Sequence, residues 1–243
     1  MTENPEWTPT IADAYANSYG EVAQNFLSLV VEPSLTALKQ KDAEIAAQED
    51  QILTAFRRRD HQHLIAKTSM ALCLGIQSLW EQQLRDYLCK CWTQVKHPTA
   101  DADDIRDAIW DSNKKDHSLK QLFCEIRGLS LENFQSYNRL DKLQLLGNAC
   151  RHGEGASAKK LRRKYPELWS RTLSECEQLG AVEEGLMPVD GMLITTALLR
   201  DLVKAVVLFW LDIRIACSER TPPEDDSMND NVARLEALRP ALL

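Results

Sequence analysis

Between residues 61 and 95 the apolar side chains recur at helical spacing: Ile65, Leu72, Ile76, Leu79, Trp80, Leu84, Tyr87, Leu88, Cys91 and Val95. With 3.6 residues per turn they form one broad apolar face. A helix that long and that wide on its apolar side belongs at the centre of a core. The spacing therefore predicts that Ile76 and Leu79 are buried. Nine glycines and nine prolines in 243 residues leave long helices unbroken, and the expected class is an all-α bundle with long N-terminal helices.

The flanking segments read as further helices. Thr10 is a suitable N-cap for a helix over 10–32, in which Ile11, Ala14, Tyr15, Val22, Phe26, Leu29 and Val30 recur. Pro33 breaks or kinks it. Ser34 can cap a second helix to about Arg59, whose thin stripe of Leu35, Leu38, Ile45, Ile52 and Phe56 predicts packing on one side only, against a second copy. Pro98 ends the central helix. A short acidic helix follows over about 101–111, and another begins near Ser118 until Gly128 and Ser130 interrupt it. The next runs from about Asp141 to His152. A helical piece starts at Pro166, a loop covers 180–191, a short strand is an option within Met187 to Ile194, and the last long helix is Ile194 to Cys217. The expected organisation is an N-terminal helical extension (1–60), a helical domain (61–217) and a flexible acidic tail (218–243) with a short amphipathic helix from Val232 to Leu238.

The net charge of −7 argues against a surface that binds nucleic acid everywhere, but leaves room for a local basic patch. The seven cysteines are odd in number, contain no Cys-x-x-Cys pair and form no Cys/His cluster of the kind zinc requires. They read as reduced thiols acting as small hydrophobes in a cytoplasmic protein. Met1 to Pro9 lacks a signal-peptide core. The most apolar stretch, Met192 to Ile213, carries Arg200, Asp201, Lys204 and Asp212, too many charges for a membrane span.

Polar function is concentrated in one place. Asn148, Arg151 and His152 lie at the predicted end of a helix, followed by Gly153 and Gly155 and then by Lys159, Lys160, Arg162, Arg163 and Lys164. On a helix, Asn148 and His152 share a face and Arg151 borders it. An imidazole can transfer a proton near neutral pH. A guanidinium can hold a phosphate or stabilise charge developing on it, and Asn148 can orient either partner. The five following cations can attract an RNA backbone. The competing reading is structural: Arg and His complement a helix C-terminus, Gly153 is a natural C′ residue, and the cations are a solvated face.

The segment resembles the signature of HEPN domains (higher eukaryotes and prokaryotes nucleotide-binding), Arg-Asn-x-x-x-His near the end of a helix in a helical bundle. Asn148 to His152 match Asn-x-x-x-His. The family's leading arginine falls on Gly147, and Arg151 stands within the variable part. The string Asn-x-x-Arg-His-Gly-x-Gly, with Ser157 and Leu161 behind it, is similar to a group of bacterial HEPN-like proteins. The detailed match covers about residues 143–168. The resemblance implies an all-α fold that often dimerises and either a metal-independent ribonuclease of a defence, toxin–antitoxin or stress system, or an inactive member that binds nucleotides or partners. His152, Arg151 and Asn148 are then the catalytic candidates, and the five cations the RNA-binding ones. RNA is the expected ligand, with a homodimer or a hetero-complex as the assembly. No metal, cofactor or membrane is implied.

Other motifs carry less. Asp103-Asp104-Ile105-Arg106-Asp107 fits a magnesium-diphosphate pattern, but aspartates are expected at a helix N-terminus. His61 and His63, two apart on a helix behind Arg57-Arg58-Arg59, do not converge on a metal. Trp80, Trp92, Trp110, Trp169 and Trp210 lack basic interleaving and read as core.

Overall fold

A computed structural model describes residues 9–48, 51–95, 100–111, 118–170, 187–220 and 227–243. The protein is all-α, and no strand occurs among these residues, so the region from Met187 to Ile194 holds a 3-10 turn at Val189–Gly191 instead of a strand.

The chain is helical from Ile11 to Ala46. A 3-10 turn, Ile11–Tyr15, leads into α1 (Ala16–Phe26). A π turn, Leu27–Val31, then joins α1 to α2 (Glu32–Ala46). Pro33 does not end the helix. It sits in the first turn of α2, just after the wider π turn, which absorbs the missing N–H and the ring. The interruption comes later, at Ala47 and Gln48, and α3 runs from Gln51 to Val95. The expected helix 34–59 is therefore two helices. Its stripe divides accordingly: Leu35 and Ile45 are buried, while Ile52 and Phe56 are 73% and 63% exposed. Pro98 lies outside the described residues.

Caps set the shorter helices. Asp101 accepts from the backbone N–H groups of Asp103 (2.8 Å) and Asp104 (2.9 Å) to open α4 (Ala102–Asp107). Asp103 itself pairs with Arg106 at 2.6 Å, so these aspartates start and staple a helix. Ser118 caps α5 (Leu119–Arg127), which Gly128 ends at φ 71°. Then come α6 (Tyr137–His152), α7 (Ala156–Lys164) and a 3-10 turn at Pro166–Leu168. The last two helices are α8 (Thr196–Arg220) and α9 (Ser227–Glu236).

The chain divides into two compact units. The first comprises the described parts of Met1–Gln24, Leu79–Leu140 and Lys204–Leu243. Its core is aromatic: Trp80 meets Phe209 edge-on at 4.7 Å and Trp210 at 5.8 Å. Trp210 donates its indole N–H to Gln83 (3.0 Å), and Gln83 donates to the Tyr19 carbonyl (3.1 Å). Leu84, Tyr87, Leu88 and Cys91 are buried as the spacing predicts, but Leu79 is half-buried. It lies about 100° from Trp80 around the helix, at the edge of the apolar face. The tail is not loose throughout: Leu235 of α9 is buried against Leu211 and Ile215.

The second unit comprises the described parts of Asn25–Ser78 and Asp141–Val203. Val31, Leu35, Cys73, Ile76, Leu143, Leu146, Ala149, Leu161, Leu199 and Leu202 supply buried side chains. The candidate site belongs to this unit.

Candidate functional site at the end of α6

The buried residues of α6 within this unit are Leu143, Gln144, Leu146, Gly147 and Ala149. Asn148 is therefore half-buried, and Arg151 and His152 are exposed on the last turn. Gly153 ends the helix at φ 69°, its N–H bonded to the Ala149 carbonyl at 2.9 Å. A left-handed residue here lets the chain turn immediately after the imidazole. Among the described residues no hydrogen bond engages the side chains of Asn148 or His152.

Arg151 is anchored by a residue that no local motif reveals. Gln77 of α3 is completely buried. Its amide donates to Gln144 Oε1 at 3.1 Å, and its Oε1 accepts from Arg151 Nη2 at 3.1 Å. One guanidinium nitrogen is thus fixed while the side chain stays exposed. The same Gln77 explains Gly147. A Cβ at 147 would lie 2.6 Å from Gln77 Cγ and 2.7 Å from its Cβ and Cδ. The space of a side chain at position 147 is filled from across the helix pair. Beside this contact, Cys73 and Cys150 hydrogen-bond through their thiols, and the bond and burial push the Cys73 thiol up.

Helical geometry sorts the cations that follow. Ala158, Leu161 and Arg162 of α7 are buried, and Lys159, Lys160, Arg163 and Lys164 are exposed. Arg162, expected on the RNA-binding face, is instead 0% exposed. It donates Nε–H to the Met187 carbonyl (2.9 Å), pairs with Glu154 and lies over the Trp169 ring at 5.7 Å. Glu154 also accepts from the backbone N–H of Val189 (2.9 Å). The pair staples the start of the 187–191 segment to α7, and enclosure of the Arg162 side chain, its Nη1 included, keeps the guanidinium from a phosphate at the surface. Lys164 is partly committed too: it pairs with Asp141 at 2.9 Å, and that bond raises its pKa. The polar side chains of this segment that are exposed are therefore Arg151 and His152 on α6 and Lys159, Lys160 and Arg163 on α7. The i, i+3, i+4 pattern of 158, 161 and 162 was the signal available for Arg162.

Among the described residues no group of histidine, cysteine and carboxylate side chains is arranged to hold a metal ion. His61 Nε2 bonds the Leu38 carbonyl at 2.8 Å, an α2–α3 contact within the unit. Trp80, Trp110, Trp169 and Trp210 are buried and Trp92 half-buried. Among the described residues no helix is long and apolar enough to cross a membrane. No protein-family model, curated protein or solved structure matches the chain.

Proposed function

We propose that this chain is an RNA-directed protein of the HEPN type, acting in the cytoplasm in a defence, toxin–antitoxin or stress system as a homodimer or with another protein. The observation that carries this reading is the exposed Arg151–His152 pair at the end of α6, with Arg151 held by buried Gln77 and three exposed cations on the helix that follows. In a cleavage reaction, His152 takes the proton of a ribose 2′-hydroxyl. The oxygen attacks the adjacent phosphorus, the 5′-oxygen leaves with a proton from solvent, and a 2′,3′-cyclic phosphate remains. Arg151 stabilises the charge that grows on the phosphoryl oxygens, and Asn148 borders the same face. No step needs a metal.

A second reading, a non-catalytic RNA- or partner-binding subunit, is favoured by one contact. Gln77 fills the space of the residue that would be the family's arginine, so His152 works with a guanidinium placed four residues further along the helix. The test is incubation of RNA in EDTA with wild type and His152→Ala, with analysis of the product ends. Cleavage that leaves cyclic phosphate and disappears in the variant supports the enzyme. Binding without cleavage, in the presence of the protein's native partner, supports the second reading.

A further inference from the structure

A cavity of about 300 Å³ lies in the second unit, lined by α2, α3 and the segment that enters α8. This is at the lower end of the roughly 300–1,000 Å³ typical of small-molecule sites. Its walls are mostly apolar, with Leu35, Met192 and Ile194 buried and Ile65 and Ala66 beside them. The lining extends along α3 from Gln62 to Ser69, about 10 Å of helix, which favours an elongated occupant.

The two ends differ. Lys39 is the one charged residue among the described residues of the lining. It is exposed, and its ammonium donates to Thr196 Oγ1 at 3.1 Å. The His61–Leu38 hydrogen bond places this part of α2 beside the Gln62 end of α3. Thr195 and Thr196 open α8, a helix of 25 residues. Thr195 satisfies the N–H groups of Leu198 (3.1 Å) and Leu199 (3.0 Å). Those of Thr196 and Ala197 come before the first intrahelical bonds and lie at the positive end of the helix dipole. This end favours an anion. At the other end of the α3 lining, Ser69 is only 4% exposed, and its hydroxyl has no hydrogen-bond partner among the described residues. The hydroxyl is not among the fully enclosed unpaired atoms, so it opens to the cavity, where it can donate to or accept from a polar group.

From this arrangement we infer a binding site for a small, elongated carboxylic acid: its carboxylate at Lys39 and the start of α8, its hydrocarbon chain against Leu35, Ile65 and Ile194, and a terminal polar group at Ser69. This goes beyond the RNA-directed reading and does not depend on it, since none of these residues belongs to the Arg151–His152 cluster.

The experiment is calorimetric titration of the full chain with octanoate, ω-hydroxyoctanoate and octanol. Wild type binds both acids, the hydroxy acid more tightly, and binds octanol at least about tenfold more weakly. Lys39→Gln, a surface change that leaves the core intact, weakens both acids about tenfold and leaves octanol unaffected. Ser69→Ala abolishes the preference for the hydroxy acid. Ala66→Phe, checked for folding by circular dichroism, fills the cavity and removes binding. Failure of wild type to bind either acid, unchanged affinity in Lys39→Gln, or a preference for the hydroxy acid that survives in Ser69→Ala would overturn the assignment.

Discussion

Gln77 and Gly147 fit together so closely that a Cβ at 147 would lie 2.6 Å from Gln77 Cγ. The contact joins α3 to α6 one turn below Arg151, and the same glutamine accepts the Arg151 guanidinium. A buried amide therefore does two things. It excludes a side chain at position 147, and it holds the guanidinium of Arg151.

Gly147→Ala should destabilise the protein by about 1–3 kcal/mol, as expected when a packed contact is overfilled. In the Gln77→Gly background the same change should cost far less, because the Cβ, Cγ and Cδ that it would strike are all absent. Urea unfolding of the four proteins in this cycle gives the coupling. Additive effects would mean that the two residues do not press on each other.

Arg127 and Asp13 form a buried ion pair in the first unit, with Arg127 Nη2 at 3.0 and 3.1 Å from the two carboxylate oxygens and the Tyr87 hydroxyl donating to Asp13 Oδ1 at 2.7 Å. Burial pushes the Tyr87 phenol well above its ordinary pKa. Arg127→Met leaves the Asp13 carboxylate enclosed without its cation and should cost about 3–5 kcal/mol. A chemical-denaturation loss below about 1 kcal/mol would show that the pair carries little of the fold.

Asp212 supplies a pH test. Burial pushes its carboxyl above the ordinary value, although Arg239, 3.0 Å away, pulls it down. A carboxyl whose folded-state pKa lies above its unfolded value of about 3.9 binds its proton more tightly when folded. Its contribution to stability is complete below that value and is lost as pH rises through the raised one. The stability of wild type relative to Asp212→Asn should therefore fall as pH rises from about 4. Urea midpoints for both proteins across that range provide the check, and a difference that grows with pH would reverse the sign.

The central helix was legible because Ile76, Trp80, Leu84, Tyr87, Leu88 and Cys91 repeat a single local rule. Its start was not. Neither glycine nor proline marks the break at Ala47 and Gln48, and a charged helix continues on both sides. At the candidate site, the capped helix end and the exposure of Arg151 and His152 followed from Gly153 and the apolar spacing before it. Gln77 could not be read, because its role depends on two helices about 70 residues apart in sequence meeting at a glycine. The cations of α7 form an unbroken basic run in sequence, but their helical phase puts Arg162 with Leu161 on the side facing the core.

The proposed function requires that RNA meet the exposed side chains of α6 and α7. Its most direct test is the salt dependence of RNA binding, measured by fluorescence anisotropy, for wild type and for a variant with Lys159, Lys160 and Arg163 changed to glutamate. Wild type should bind single-stranded RNA with an affinity that falls as salt rises. The variant should bind more weakly, with a slope of log K against log salt shallower by about 2, as expected from losing three phosphate contacts at about 0.7 each. RNA binding that is absent from wild type, or has the same affinity and slope in both proteins, would contradict it.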